Sequence, residues 1–89
     1  MKIVAAAIKF RLKDSEYFCI MTNHRHADIF EQMYQLHIPY DKASVVQGFM
    51  TNTDQFVDRY EAKYIAVEAD QLIVPEEQTH DALYSEDLW

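Results

Sequence analysis

The chain has 89 residues and a mass of 10.5 kDa, which sets one compact domain as the ceiling. Hydrophobic residues make up 49% and charged residues 26%, which excludes intrinsic disorder, and six Tyr and five Phe can fill a small core. Eight Lys and Arg against fifteen Asp and Glu give a net charge of −7, which excludes general binding to nucleic acid or to an anionic membrane surface.

In chain order, Lys2 to Leu12 reads as a strand, mostly apolar to Ile8 and then alternating through Phe10 and Leu12 with Lys9, Arg11 and Lys13. The six-residue apolar run between Lys2 and Lys9 is too short for a membrane span, which needs about 20 apolar residues, and short for a signal peptide. Lys13-Asp14-Ser15-Glu16 is a polar turn, and Glu16 to Thr22 forms a second strand, hairpin-paired with the first. Cys19 lies in this apolar strand and reads as a buried core thiol; as the single cysteine it forms no internal disulfide, which fits a reducing cytoplasm.

Ile29, Phe30, Met33 and Leu36 mark one helical face, with Asp28 in the first turn, and Pro39 stops the helix so that His37 and Ile38 fall outside it. Ser44 to Thr51 reads as a third strand holding Gly48, the only glycine, which signals a bulge or a close backbone approach. Phe56-Val57 is a short return strand. Asp58-Arg59-Tyr60-Glu61 has the form of a capping box, opening a helix to about Asp70 whose inner stripe is Ala62, Ile65, Ala66 and Ala69. Leu72-Ile73-Val74, before Pro75, offers a last short strand. The order β-β-α-β-(β)-α-(β) predicts an α+β fold, a small mostly antiparallel sheet with two helices packed on one face. The expected organisation is a compact domain over residues 1–75 and an acidic C-terminal segment with an aromatic tip over 76–89.

Charge is unevenly spread. Residues 1–67 carry all eight basic side chains and eight acids, so the whole excess of −7 falls within residues 68–89, which have no Lys or Arg. Such a segment is either a solvated, self-repelling tail or an acidic arm that docks on a basic surface. Leu83, Tyr84, Leu88 and Trp89 interrupt the charge, so the last residues are expected to pack on the domain or on a partner.

Two polar clusters carry the chemistry. His24, His26 and Asp28 form an H-x-H-x-D pattern, but a catalytic metal needs about three well-placed ligands with second-shell support, and no paired cysteines assist. No metal or other cofactor is expected. Arg25 and His26 instead lie beside the unpaired amides of a first helical turn, which cap the helix or hold an anion such as phosphate. In the second cluster Arg59 supplies a planar fork for phosphate or carboxylate, flanked by Asp58 and Glu61. Its alternative is a surface residue beside a capped helix start. His26 with Glu61 would give a general acid–base pair, the basis of a small phosphoester-hydrolase reading. No Gly-rich phosphate loop or nucleophile elbow is present. Tyr60, Tyr64 and Val67 form a second stripe on the last helix, suited to packing against the acidic tail or to a subunit interface.

Ala6-Ala7-Ile8, Arg25-His26-Ala27-Asp28, Gln47-Gly48-Phe49-Met50, Phe56-Val57-Asp58-Arg59-Tyr60-Glu61-Ala62, Ile65-Ala66 and the ending Leu83-Tyr84-Ser85-Glu86-Asp87-Leu88-Trp89 resemble a group of small proteins encoded by bacteriophages and prophages. The chain departs from their pattern at Asp70-Gln71, where a helix-ending glycine is usual, and at Asp54-Gln55, where a glycine-containing turn is. The resemblance implies a phage accessory protein of counter-defence type in the host bacterial cytoplasm, a homo-oligomer that sequesters a small nucleotide-type ligand. Arg25, His26 and Arg59 would then grip phosphate while an aromatic such as Tyr60 stacks on a base. The alternative is an interaction module that inhibits a host protein through the acidic C-terminal segment.

Overall fold

The computed structural model describes residues 1–13 and 16–89, so the turn expected over 13–16 lies partly outside the described residues. Its elements are β1 (Ile3–Leu12), β2 (Tyr17–Thr22), α1 (His26–Gln35), β3 (Tyr40–Thr51), β4 (Phe56–Asp58) and α2 (Arg59–Glu68), followed by short 3-10 turns at Glu76–Gln78 and Ser85–Asp87. The four strands form one antiparallel sheet in the order β2-β1-β3-β4. Ala6, Ile8 and Phe10 alternate along β1 toward one face, where both helices pack. The α1 residues Ile29 and Met33 cover Ile8 and Phe10, while Ala62 and Ala66 of α2 cover Ala6, Phe49 and Val57. Leu83 and Leu88 from the C-terminal segment pack into the same core beside the small residues of the α2 stripe.

β3 begins earlier than expected, at Tyr40, because a bulge displaces its pairing between Lys9 and Arg11, and the Ser44 hydroxyl fills the gap by accepting from the Arg11 amide at 2.7 Å. Gly48 sits where β3 and β4 approach closely. A Cβ there would lie 2.2 Å from the Val57 carbonyl oxygen and 2.6 Å from the Phe56 ring, so only hydrogen fits. Phe56 thus lies across Gly48 and reaches Lys9, whose ammonium sits 5.9 Å from its ring centre and 5.1 Å from that of Tyr17.

Both helices close in the same way. His37 and Asp70 adopt left-handed backbone (φ 54° in each), and the amides at 37–38 and 70–71 return to carbonyls of the last turn: His37 to Tyr34, Ile38 to Met33, Asp70 to Val67 and Gln71 to Ala66. Asp54, in the β3–β4 turn, is left-handed as well (φ 61°). Asp70→Gly should raise stability by about 0.5–1 kcal/mol by relieving the Cβ penalty. Chemical denaturation checks this, and an unchanged or lowered midpoint contradicts it.

Two expectations need correction. Residues 72–74 form no strand. The Gln71 side-chain amide occupies the backbone of Ile3 instead, accepting from its N–H and donating to its carbonyl at 2.7 Å each, and the Ile73 amide donates to the Asp87 carbonyl. Cys19 is exposed rather than buried. Its register opposite Lys9 puts it on the sheet face that carries no helix.

Candidate functional site

The polar cluster at the start of α1 and the C-terminal segment meet. Arg25 caps α1 through its backbone: its N–H donates to the Asp28 carboxylate at 2.9 Å and its carbonyl accepts from the Asp28 amide at 3.0 Å. This leaves the guanidinium to turn toward the tail. There Nη1 donates to the Ser85 carbonyl at 3.1 Å, and Nε stands 3.5 Å from the Glu86 carboxylate. One residue earlier, the His24 carbonyl accepts from the Trp89 indole N–H at 2.7 Å. The tail repeats the cap of α1, with the Tyr84 amide donating to Asp87 at 3.0 Å. Leu83 and Leu88 enter the α2 core, so the expected packing of the last residues is met inside the domain.

His26 is the first residue of α1 and is 9% exposed. Its Nε2 lies 2.7 Å from the Gly48 carbonyl, and its ring stands edge-on to Phe49 with centroids 5.0 Å apart. A carbonyl only accepts, so Nε2 carries the proton and ties α1 to β3. Burial pushes its pKa below the ordinary histidine range. The Gly48 bond raises it, the Arg59 charge lowers it and the Glu86 charge raises it. The carboxylate that acts on His26 is thus Glu86 rather than Glu61. A folded pKa below the unfolded value gives stability that is whole above about pH 6.5 and is lost as the pH falls through the folded pKa. Thermal midpoints should therefore drop between pH 7.5 and 5 by more in the wild type than in His26→Gln. Parallel curves for the two proteins would contradict this.

Arg59 stacks over the Tyr84 ring at 5.2 Å, and its carbonyl accepts from the Leu83 amide at 2.9 Å. Asp58 caps α2, accepting from the Glu61 amide at 2.8 Å, while no return bond from the Glu61 side chain accompanies it. Arg25, His26 and Arg59 therefore gather around the residues Tyr84–Glu86. Tyr60 does not join them. It points out from α2, 68% exposed, beside Tyr64 at 73%. With Lys63, Val67, Glu68, Glu76 and Asp81, these two tyrosines line an open groove of about 310 Å³. The Lys63 ammonium is held by the Thr79 hydroxyl and the His80 carbonyl, and the groove's three carboxylates outnumber this one cation. The Tyr60/Tyr64/Val67 stripe, suited to tail packing or an interface, forms one side of the groove; its acidic wall comes from Glu68 on the same helix and from Glu76 and Asp81 beyond it. His24 is exposed and His26 buried, so the H-x-H-x-D pattern does not converge, and no trio of His, Cys, Asp or Glu gathers among the described residues. No helix among them is long and apolar enough to cross a membrane.

Sheet order, paired helix caps and a tail latched onto Arg25 define a small two-layer α+β protein whose C-terminus is part of its core. Contacts join Arg25 to Ser85, His26 to Gly48, Arg59 to Tyr84 and Trp89 to His24 across the chain. The profile of the phage T4 y16D protein family matches residues 2–89, and the chain belongs to that family. No curated protein and no solved structure matches.

Proposed function

We propose that this phage protein is an accessory factor that acts by binding another protein, holding a basic segment of it against the face formed by α2 and the C-terminal segment. One observation carries the reading: Tyr60 and Tyr64, both more than two-thirds exposed, stand over a groove walled by Glu68, Glu76 and Asp81. An arginine or lysine stacked on a tyrosine face gains about 0.5–2 kcal/mol, and adjacent carboxylates add to it and give register. Inhibition of a host protein, as in counter-defence, is the form such binding takes in an infected cell. A labelled arginine-rich peptide tests it. Affinity should fall at least tenfold in Tyr60→Ala/Tyr64→Ala and weaken with salt. Equal binding by the double variant overturns it.

Sequestration of a nucleotide-type ligand is the second reading, favoured by two guanidinium groups that meet neighbouring residues of the C-terminal segment, Arg25 at Ser85 and Glu86 and Arg59 at the Tyr84 ring. A ligand phosphate would then take the place of the Ser85 carbonyl and Glu86 carboxylate on Arg25. Calorimetry with cyclic dinucleotides and ADP-ribose, repeated on Arg25→Ala, tests it; absence of heat with the wild type rejects it.

A further inference from the structure

β2 is an edge strand, and no strand pairs with its outer side among the described residues. An unpaired edge presents a row of N–H and C=O groups, which proteins ordinarily guard with charges, proline, a bulge or brevity. The other edge, β4, is three residues long and ends on Asp58. β2 has none of these guards: its sequence Tyr17-Phe18-Cys19-Ile20-Met21-Thr22 is uncharged and pairs with β1 without a break in register. Both of its faces are apolar. Tyr17 and Met21 are 56% and 54% exposed on the helix-free face, and Phe18 is 46% exposed on the other. Beside Phe18 runs an apolar groove of about 380 Å³ along Ile20, Leu36 and Ile38, with Leu36 itself 63% exposed.

We propose that β2 is the seam of a homodimer, in which a second copy of this chain adds its own β2 antiparallel about a two-fold axis perpendicular to the sheet. The product is one eight-stranded sheet with four helices on one side. Side chains facing each other across the seam must share a sheet face, which restricts the axis to residue positions. Centring it on Cys19 pairs Tyr17 to Met21 with the same five residues of the partner and leaves Thr22 facing the partner's Glu16. Phe18 then faces the partner's Ile20, Tyr17 faces the partner's Met21, and Cys19 faces its own copy.

Charge distribution favours this seam over other surfaces. The chain carries −7, and its entire excess lies in residues 68–89, which pack beside α2 and reach Arg25 and His24, just after β2, through Ser85, Glu86 and Trp89. Glu86 is paired there with Arg25, and pairing through β2 brings no like charges together along the uncharged strand itself. The area suffices. The exposed parts of Tyr17, Phe18, Met21 and Leu36 come to roughly 400 Å² in each chain at about 200 Å² per large side chain. With the two strand backbones added, the seam approaches the total of about 1,000 Å² at which specific interfaces begin.

Light scattering on the eluting protein tests the proposal. The wild type should have twice the chain mass of 10.5 kDa, and Tyr17→Lys/Met21→Lys, altered only at exposed positions, should have the single-chain mass with an unchanged circular dichroism spectrum. Tyr34→Lys, at an equally exposed aromatic on α1, should remain dimeric. Facing residues of an antiparallel pair have Cα atoms about 4.5–5.5 Å apart, within disulfide range, so diamide should link wild-type chains through Cys19 at least tenfold faster than the double variant. A monomeric wild type at the highest soluble concentration overturns the proposal, as does a dimer that survives the double substitution.

Discussion

Deletion of residues 83–89 is expected to abolish cooperative folding. Leu83 is fully buried and Leu88 is 7% exposed, and both pack in one core with Ala6, Phe49, Ala62 and Ala66. The alanines of α2 leave space that these two leucines fill, so the tail replaces the large side chains that the helix lacks. Truncating one buried leucine to alanine costs about 2–5 kcal/mol. Losing both, together with the Trp89–His24 and Arg25–Ser85 bonds, matches the whole stability of a domain this size, about 4–13 kcal/mol at 0.05–0.15 kcal/mol per residue. Leu83→Ala alone should lower Tm by about 10 °C or more. Thermal melts followed by circular dichroism check both, and a cooperative transition in the truncated chain would contradict the account. The same packing fixes the acidic segment beside α2, which gives the groove its charged wall.

Gly48→Ala should be the most damaging single substitution, costing about 3 kcal/mol or more. The new Cβ would meet a backbone carbonyl at 2.2 Å, and that strand cannot withdraw without losing the Phe49–Val57 pairing beside it. It would also press on the Phe56 ring and strain the carbonyl that accepts from His26. Gln47→Ala, one residue away, is the comparison and should cost under 1 kcal/mol as a partly exposed polar site. Equal midpoints for the two variants in urea would refute the close-approach explanation.

The sequence was most legible where periodicity is strong. The alternation after Ile8, the Ile29/Met33 and Ala62/Ala66 stripes, the isolated Gly48 and the stop before Pro39 all correspond to features of the fold. Residues 72–74 misled because an apolar triplet has no period of its own, and the edge position it needed was taken by the Gln71 amide. Cys19 misled because an apolar strand looks buried on both faces, whereas both helices cover the same face of this sheet. Of the site, the residue chemistry of Arg25, His26 and Arg59 was legible, without the distances between them. Their common partner was not, since contacts between residues 24–25 and 85–89 span more than half the chain and leave no local signal. The uneven charge was plain from counting alone; that it frames two exposed tyrosines required the fold.

Nuclear magnetic resonance of the labelled protein, titrated with an arginine-rich peptide, tests the proposed binding face most directly. Amide shifts should concentrate at Tyr60, Tyr64, Val67, Glu68, Glu76 and Asp81 and should fade as salt is raised. Shifts scattered evenly over the surface, or confined to Arg25, His26 and Arg59, would contradict the assignment of this face as the binding site.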